Sequence, residues 1–178
     1  LRYGGSAEAL ESLARGQCDL AGLHLPLGAF EAATVAHYRR WLDPAGQCAI
    51  RLATRRQGLM VAAGNPKRLY ELADLARPDV RFVNRQAGSG TRLLLEQMLA
   101  REFRLDFIPL QQERYFLLCR ADALEAPALQ AALAVLRSPE YGAALARLPG
   151  YAPDATGRVM PLAELLPGLA PDARRRRR

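Results

Sequence analysis

Apolar positions recur along the chain at spacings typical of short helices and strands. Leu10 and Leu13 share one face of a predicted helix. Ser6 lies in the N-cap position of this helix, and Gly16 suits its C-terminal cap. Farther along, the Pro127 position is typical of a first helical turn, and Ser138 precedes a proline as a second N-cap.

The same patterns predict strands that alternate with helices over most of the chain. This alternation favours an α/β fold with largely parallel sheets. The predicted strands cover residues 18–25, 49–63, 80–84, 105–110 and 114–120, and the predicted helices include residues 30–42, a short helix at 69–75 and a stronger one after residue 91.

Composition is that of a folded domain of 178 residues, of which 50% are apolar and 24% are charged. The formal net charge is +7, but Arg174–Arg178 form a basic tail, so the rest of the chain is nearly neutral. No apolar run approaches the length of a membrane span, and we expect no membrane partner. The three cysteines match no metal or redox spacing and predict reduced, buried thiols in a cytoplasmic protein.

Two Gly/Ser loops that each lead into a predicted helix are the candidate binding elements. Ser89, Gly90 and Thr91 follow a predicted strand, with Arg85 and Arg92 beside them. Glycines let a ligand approach the backbone, hydroxyls donate hydrogen bonds, and the first amides of a helix attract anions. This loop predicts an anion-binding cradle, and the loop at Gly4-Gly5-Ser6 has the same arrangement of glycine and serine before a helix. As alternatives, Ser6 is only a cap and Ser89 only part of a tight turn.

Other chemistry finds little support in the sequence. A nucleotide P-loop, a nucleophile elbow and a metal-ligand spacing are all absent, so we predict no catalytic residue, no metal and no cofactor. The two histidines, His24 and His37, stand near no acidic motif, and we interpret His24 as a structural residue that could also line a cleft. The protein is therefore not predicted to be an enzyme.

The run RFVNRQAGSGTRLLLEQ, residues 81–97, resembles the signature of periplasmic-binding-protein-like domains related to molybdate-binding proteins. Segments 4–26, 54–66 and 105–120 resemble further parts of that family in the same order. The resemblance implies a two-lobed type II periplasmic-binding-protein-like α/β fold with a ligand cleft between the lobes.

By position, the resemblance places the ligand at Gly5 and Ser6 in one lobe and at Ser89, Gly90, Thr91 and Arg92 in the other, with Arg55 and Gln57 as weaker candidates. It implies lobe I from residues 1–59 and 116–178 and lobe II from residues 60–115. The family usually carries a further stretch of some thirty to forty residues near Ala100-Arg101, and we expect that this segment is missing here by omission.

The function implied by the resemblance is a sensor of a small oxyanion such as molybdate or tungstate, or of an anionic metabolite. We expect an upstream helix-turn-helix DNA-binding domain, because such sensors are often effector domains of transcription regulators; they are also often homodimers. The alternatives are an exported, periplasmic solute-binding protein of an oxyanion transporter and an enzyme acting on a phosphorylated or sulfated small molecule.

Overall fold

The computed structural model of the chain describes residues 4–59, 61–62, 64–83, 89, 91–92, 111–148 and 150–169. Within these residues the fold is mixed α/β, as the sequence predicts, and the helices pack on a single sheet. The helices are α1 (Ser6–Ala14), α2 (Glu31–Tyr38), α3 (Pro127–Leu136), α4 (Pro139–Ala146) and α5 (Leu162–Leu165), and the strands are β1 (Ala21–Pro26), β2 (Gln47–Gln57), β3 (Gln111–Arg120), β4 (Tyr151–Pro153) and β5 (Val159–Pro161). Short 3-10 turns cover Arg39–Trp41, Leu72–Ala76 and Ala121–Ala123.

The sheet has five strands among the described residues, with β3 between β1 and β2. The long strand β2 pairs with β3 along its whole length on one side. Its other side is shared by two short strands, since β5 pairs with residues 48–50 and β4 with residues 53–55. The register of β2 against β3 shifts between Arg51 and Ala53, where β2 has an irregularity.

The prediction of a largely parallel sheet is wrong for the described part of the chain, because each pairing there is antiparallel. The physical reason is the route of the chain. It leaves the sheet at Gln57, the end of β2, and re-enters at Gln111, opposite that same residue. The two strands therefore run in opposite directions, as in a hairpin whose connection is residues 58–110.

Alternate positions of the strands supply two hydrophobic clusters on the two faces of the sheet. Leu23 and Phe116 face α1, α2 and the 3-10 turn after it, and Ile50 with Cys119 faces α3. Each of these four side chains has no more than 1% of its surface exposed, so helices cover both faces of the sheet around them.

Several local predictions are confirmed. Gly16 has a φ of 68°, and its N–H donates to the Leu13 carbonyl, as expected for a glycine that ends α1. Pro127 is the first residue of α3, and the Ser138 hydroxyl accepts a hydrogen bond of 3.1 Å from the Tyr141 amide at the start of α4.

Other local predictions are wrong or lie elsewhere. Residues 80–83 form no strand, since Phe82 and Val83 are exposed and none of the described strands pairs with them. The predicted helix at 69–75 is a 3-10 turn over Leu72–Ala76. The predicted strand at 105–110 and most of the helix after residue 91 lie outside the described residues.

Candidate functional site

A polar cluster surrounds Arg55 near the end of β2. Its partner in β3 is Glu113, and its partner in β4 is Tyr151, so both neighbours approach it by strand register. The Arg55 Nε and Nη2 atoms each lie 3.0 Å from Oε2 of Glu113, and Nη1 donates to the Tyr151 hydroxyl at 3.2 Å. The guanidinium carbon also lies 4.6 Å from the ring centre of Tyr115, one further step along the same face of β3.

Thr91 joins this cluster from the Gly/Ser loop. Its Oγ1 accepts a hydrogen bond of 2.7 Å from Gln57 Nε2 and one of 3.3 Å from Arg55 Nη2. Ser89 is 7% exposed, and its hydroxyl accepts a hydrogen bond from the Arg92 amide, so it caps the helical turn that contains Thr91. The hydrogen bonds of Thr91 therefore hold this loop against the C-terminal end of β2.

His24 and Ser6 extend the cluster across β3 to β1. His24 stands opposite Tyr115 in the register, and the two rings stack with centres 5.0 Å apart. Ser6 Oγ lies 3.3 Å from His24 Nδ1. The prediction that Ser6 caps α1 is wrong: Gly5 occupies the N-cap position, and Ser6 is the first helical residue, which turns its hydroxyl toward β1.

Burial shifts the acid–base properties of this cluster. Burial, with a smaller effect from Arg55, lowers the pKa of His24 to about 4, so the imidazole is neutral at pH 7. Burial raises the pKa of Glu113, while the Arg55 guanidinium opposes that rise and favours the carboxylate. The pKa of Tyr115 is raised for the same reason of burial. The cluster thus contains one half-buried cation, Arg55, paired with one buried anion, Glu113, among neutral groups.

The predicted site residues fall into three groups. The structure brings together Ser6, Arg55, Gln57 and Thr91, although Arg55 and Gln57 ranked as the weaker candidates. Gly5 carries the N-cap of α1, whereas Ser89 and the Arg92 amide shape the second loop. Gly90 and Arg85 lie outside the described residues.

Sequence reasoning missed three members of the cluster, Glu113, Tyr115 and Tyr151, and it interpreted His24 as a structural residue that could also line a cleft. The sequence carried a signal for two of them. Glu113 and Tyr115 lie on the face of β3 opposite to Phe116 and Leu118, and the positions that follow them on their own face are apolar. A carboxylate at an inward position of a strand requires a partner. Tyr151 gave no such signal, because it reaches Arg55 only through the pairing of β4 with β2.

The geometry supports binding better than catalysis. Ser6 and His24 have the spacing of a nucleophile and its base, but a histidine whose pKa is about 4 is a weak base at neutral pH. Moreover, His24 Nε2 has no hydrogen-bond partner among the residues that the structure describes, and none of them orients the ring from that side. In the parts of the chain that the structure describes, no three His, Cys, Asp or Glu side chains are grouped to hold a metal ion.

The cysteines stand apart from this cluster. Cys48 and Cys119 are buried free thiols, and Cys18 is half-buried. Burial raises the pKa of Cys119 to about 11, so its sulfur is protonated and unreactive at neutral pH. The prediction of reduced thiols agrees with this arrangement. A search of the described helices finds none with the length and apolarity that crossing a membrane would need.

Comparisons with known proteins agree with the resemblance read from the sequence. The family model described as the PBP superfamily domain matches residues 1–103 and 99–137. The uncharacterized protein YvgK of Bacillus subtilis (strain 168) is 29% identical over 202 aligned residues, which cover 89% of this chain and 64% of YvgK. No solved structure matches the chain. Since the family model covers well over half of its length, this chain belongs to the PBP superfamily domain family, whose members are periplasmic-binding-protein-like.

Proposed function

We propose that this chain is the ligand-binding domain of a sensor that takes up a small oxyanion or anionic metabolite beside Arg55. The observation that carries the proposal is the convergence on Arg55, in β2, of groups from β3, β4 and the Thr91 loop. Because the chain belongs to a binding-protein family, we interpret this group of converging polar side chains as a ligand site. Molybdate and tungstate are the tetrahedral dianions that the family resemblance implies.

The charge balance at the site favours a small anion held by neutral donors. The positive charge of Arg55 is matched by Glu113, so the cluster has little net charge of its own. Gln57 Nε2 and the hydroxyls of Thr91, Tyr151 and Ser6 can donate to ligand oxygens. Ser89, whose hydroxyl accepts from the Arg92 amide, belongs to the same loop as Thr91, and other backbone amides of this loop would be further donors to an anion.

We further propose that the domain acts as the effector domain of a transcription regulator in the cytoplasm. The support comes from the family and from one relative. The chain spans 64% of the length of YvgK, which leaves room in that relative for another domain. Binding would shift the population toward the conformation in which both Thr91 and β2 contact the ligand. An exported solute-binding protein remains the alternative, and a signal peptide in the complete gene would favour it.

Calorimetric titration with molybdate, tungstate, sulfate and phosphate tests the anion site. The informative variant is Gln57→Glu, which places a second carboxylate beside Thr91 and repels an anion. Its matched control is Gln112→Glu, which adds the same charge on the neighbouring strand. Gln112 is exposed, and its side chain alternates with that of the buried Glu113.

We expect Gln57→Glu to weaken anion binding about tenfold or more, because like charges a few ångströms apart repel strongly at a protein surface. The control should change affinity less than about threefold. Equal weakening by both variants would place the anion elsewhere, and an absence of binding by the folded wild-type protein would remove these oxyanions as ligands.

A further inference from the structure

Glu113 is the least accessible polar side chain of the cluster, with 0% of its side chain exposed. Only one of its oxygens is used: Oε2 accepts from Arg55, whereas Oε1 has no hydrogen-bond partner among the described residues. Native proteins rarely leave a buried carboxylate oxygen unpaired. The free oxygen therefore calls for a donor, and none of the described residues places one on it.

Arg55 and Gln57 are the donors that act on Glu113. Gln57 lowers the pKa of Glu113, and one of the two hydrogens of its Nε2 goes to Thr91 at 2.7 Å, which leaves the second hydrogen for the ligand or for Glu113. The Arg55 nitrogens are divided among Glu113 Oε2, Tyr151 and Thr91. Because a carboxylate has no proton to give, Oε1 can only accept.

A second unpaired buried atom lies on the same face of the sheet. Within the described part of the chain His24 Nε2 has no partner, and His24 stands opposite Tyr115, two residues beyond Glu113 along β3. Diagonal neighbours of this kind in an antiparallel sheet have their side chains within about 8 Å of one another. A neutral imidazole nitrogen donates or accepts according to its tautomer, so it adapts to whatever the ligand presents.

We propose that the ligand of this site is an anion that also donates a hydrogen bond, and that Glu113 Oε1 accepts it. This inference rests on the proposed function and narrows its ligand class. Hydroxy acids and oxyanions that retain a proton have the required chemistry, since each combines negative oxygens with an O–H group. A fully deprotonated oxyanion would place an oxygen lone pair against the carboxylate, which repels it.

Two matched ligand pairs test this in the wild-type protein, with no variant needed. Glycolate differs from acetate by one hydroxyl. In mildly alkaline buffer, phosphate carries the same double charge as sulfate but retains a proton. We expect the donor-bearing member of at least one pair to bind about tenfold more tightly, as a hydrogen bond to a charged group allows. The two pairs distinguish an organic hydroxy acid from an inorganic oxyanion.

The variant Glu113→Gln supplies the mechanism test, because its carboxamide offers an N–H to a ligand oxygen. We expect the preference within each pair to fall to about threefold or less, whatever happens to absolute affinity. Asp154→Asn is the control: Asp154 pairs with Arg51, so the variant removes a carboxylate from an arginine outside the cluster and should leave the preference intact. Circular dichroism confirms that each variant is folded.

The outcomes separate this inference from the proposed function. Equal or tighter binding of sulfate, molybdate and acetate by the wild type would overturn the donor requirement while leaving an anion site in place. A preference that survives Glu113→Gln would assign it to another residue and also overturn the inference. If the folded wild-type protein binds none of these anions, the proposed anion site fails first and this inference fails with it.

Discussion

Replacing Arg55 with methionine would leave Glu113 as an unpaired buried charge. Methionine keeps the length of the stem that lies over Tyr115, so most of the packing survives while the guanidinium is lost. The Glu113 side chain is 0% exposed and that of Arg55 is 17% exposed. Removing one partner of a buried ion pair destabilises a protein by about 3–5 kcal/mol, and the partial exposure of Arg55 places this site near 3 kcal/mol.

The loss of stability should depend on pH with a definite sign. Burial raises the pKa of Glu113 in the folded state above its unfolded value, and Arg55 opposes the rise. Without Arg55 the folded pKa moves further up, so the folded variant binds a proton at a pH where the unfolded chain does not. The destabilisation relative to wild type is therefore full near pH 7 and decreases as pH falls through the folded pKa.

Urea unfolding at pH 7 and at about pH 5 measures this difference. The double variant Arg55→Met, Glu113→Gln removes both charges and should cost less than the single variant, with little change between the two pH values. Arg56→Met is the control for the loss of an arginine, because Arg56 is exposed on the next position of β2. A single-variant loss under about 1 kcal/mol at pH 7, or one that grows in acid, would refute the reasoning.

Three further changes test other parts of the structure. Because the pKa of His24 is lowered to about 4, the wild type should lose up to about 3 kcal/mol of stability between pH 6.5 and pH 4; urea unfolding should show this loss in His37→Gln but not in His24→Gln. Phe116→Ala should cost about 3–5 kcal/mol by thermal unfolding, whereas Val135→Ala, at a side chain 59% exposed, should change stability by less than about 1 kcal/mol. Gly16→Ala should cost about 1 kcal/mol by the same measurement, since Gly16 has a φ of 68°, and a neutral result would argue against the left-handed cap.

The features predicted correctly from the sequence are those set by neighbours along the chain. Gly16 ends α1, Pro127 starts α3 and Ser138 caps α4 because each acts on a helix within four residues of itself. The prediction that Ser6 caps α1 was wrong because it considered only neighbours along the chain. Gly5 is the N-cap, and the Ser6 hydroxyl instead contacts His24, 18 residues away. Local chemistry alone does not decide between two partners.

The features that could not be predicted depend on strand register. Arg55 and Glu113 are 58 residues apart, and they meet only because β2 and β3 pair with one register and not another. A shift by one residue would send either side chain to the opposite face. Alternation within each strand was readable, but no local signal fixes which residue of β2 stands opposite which residue of β3.

The boundary between the lobes and the segment expected near Ala100 stay predictions. The family model matches in two stretches that overlap at residues 99–103, and the alignment with YvgK is longer than this chain. Both observations are what a family with additional residues would produce, and the overlap of the two matches lies at the position where the segment is expected. A comparison with the complete gene tests this position.

The position of the site on the chain explains how binding can have an effect at a distance. Arg55 and Gln57 lie where the chain leaves the sheet, and Gln111 with Glu113 lies where it returns, so the connection between them begins and ends at the site. Thr91, inside that connection, is tied to the sheet by hydrogen bonds to Arg55 and Gln57. A ligand that shares those donors changes the strength of the tie by about the free energy of one or two hydrogen bonds. That amount lies within the 1–3 kcal/mol range of typical allosteric couplings, so in the proposed sensor occupancy of the site would be sufficient to change the hold of Thr91 on the sheet.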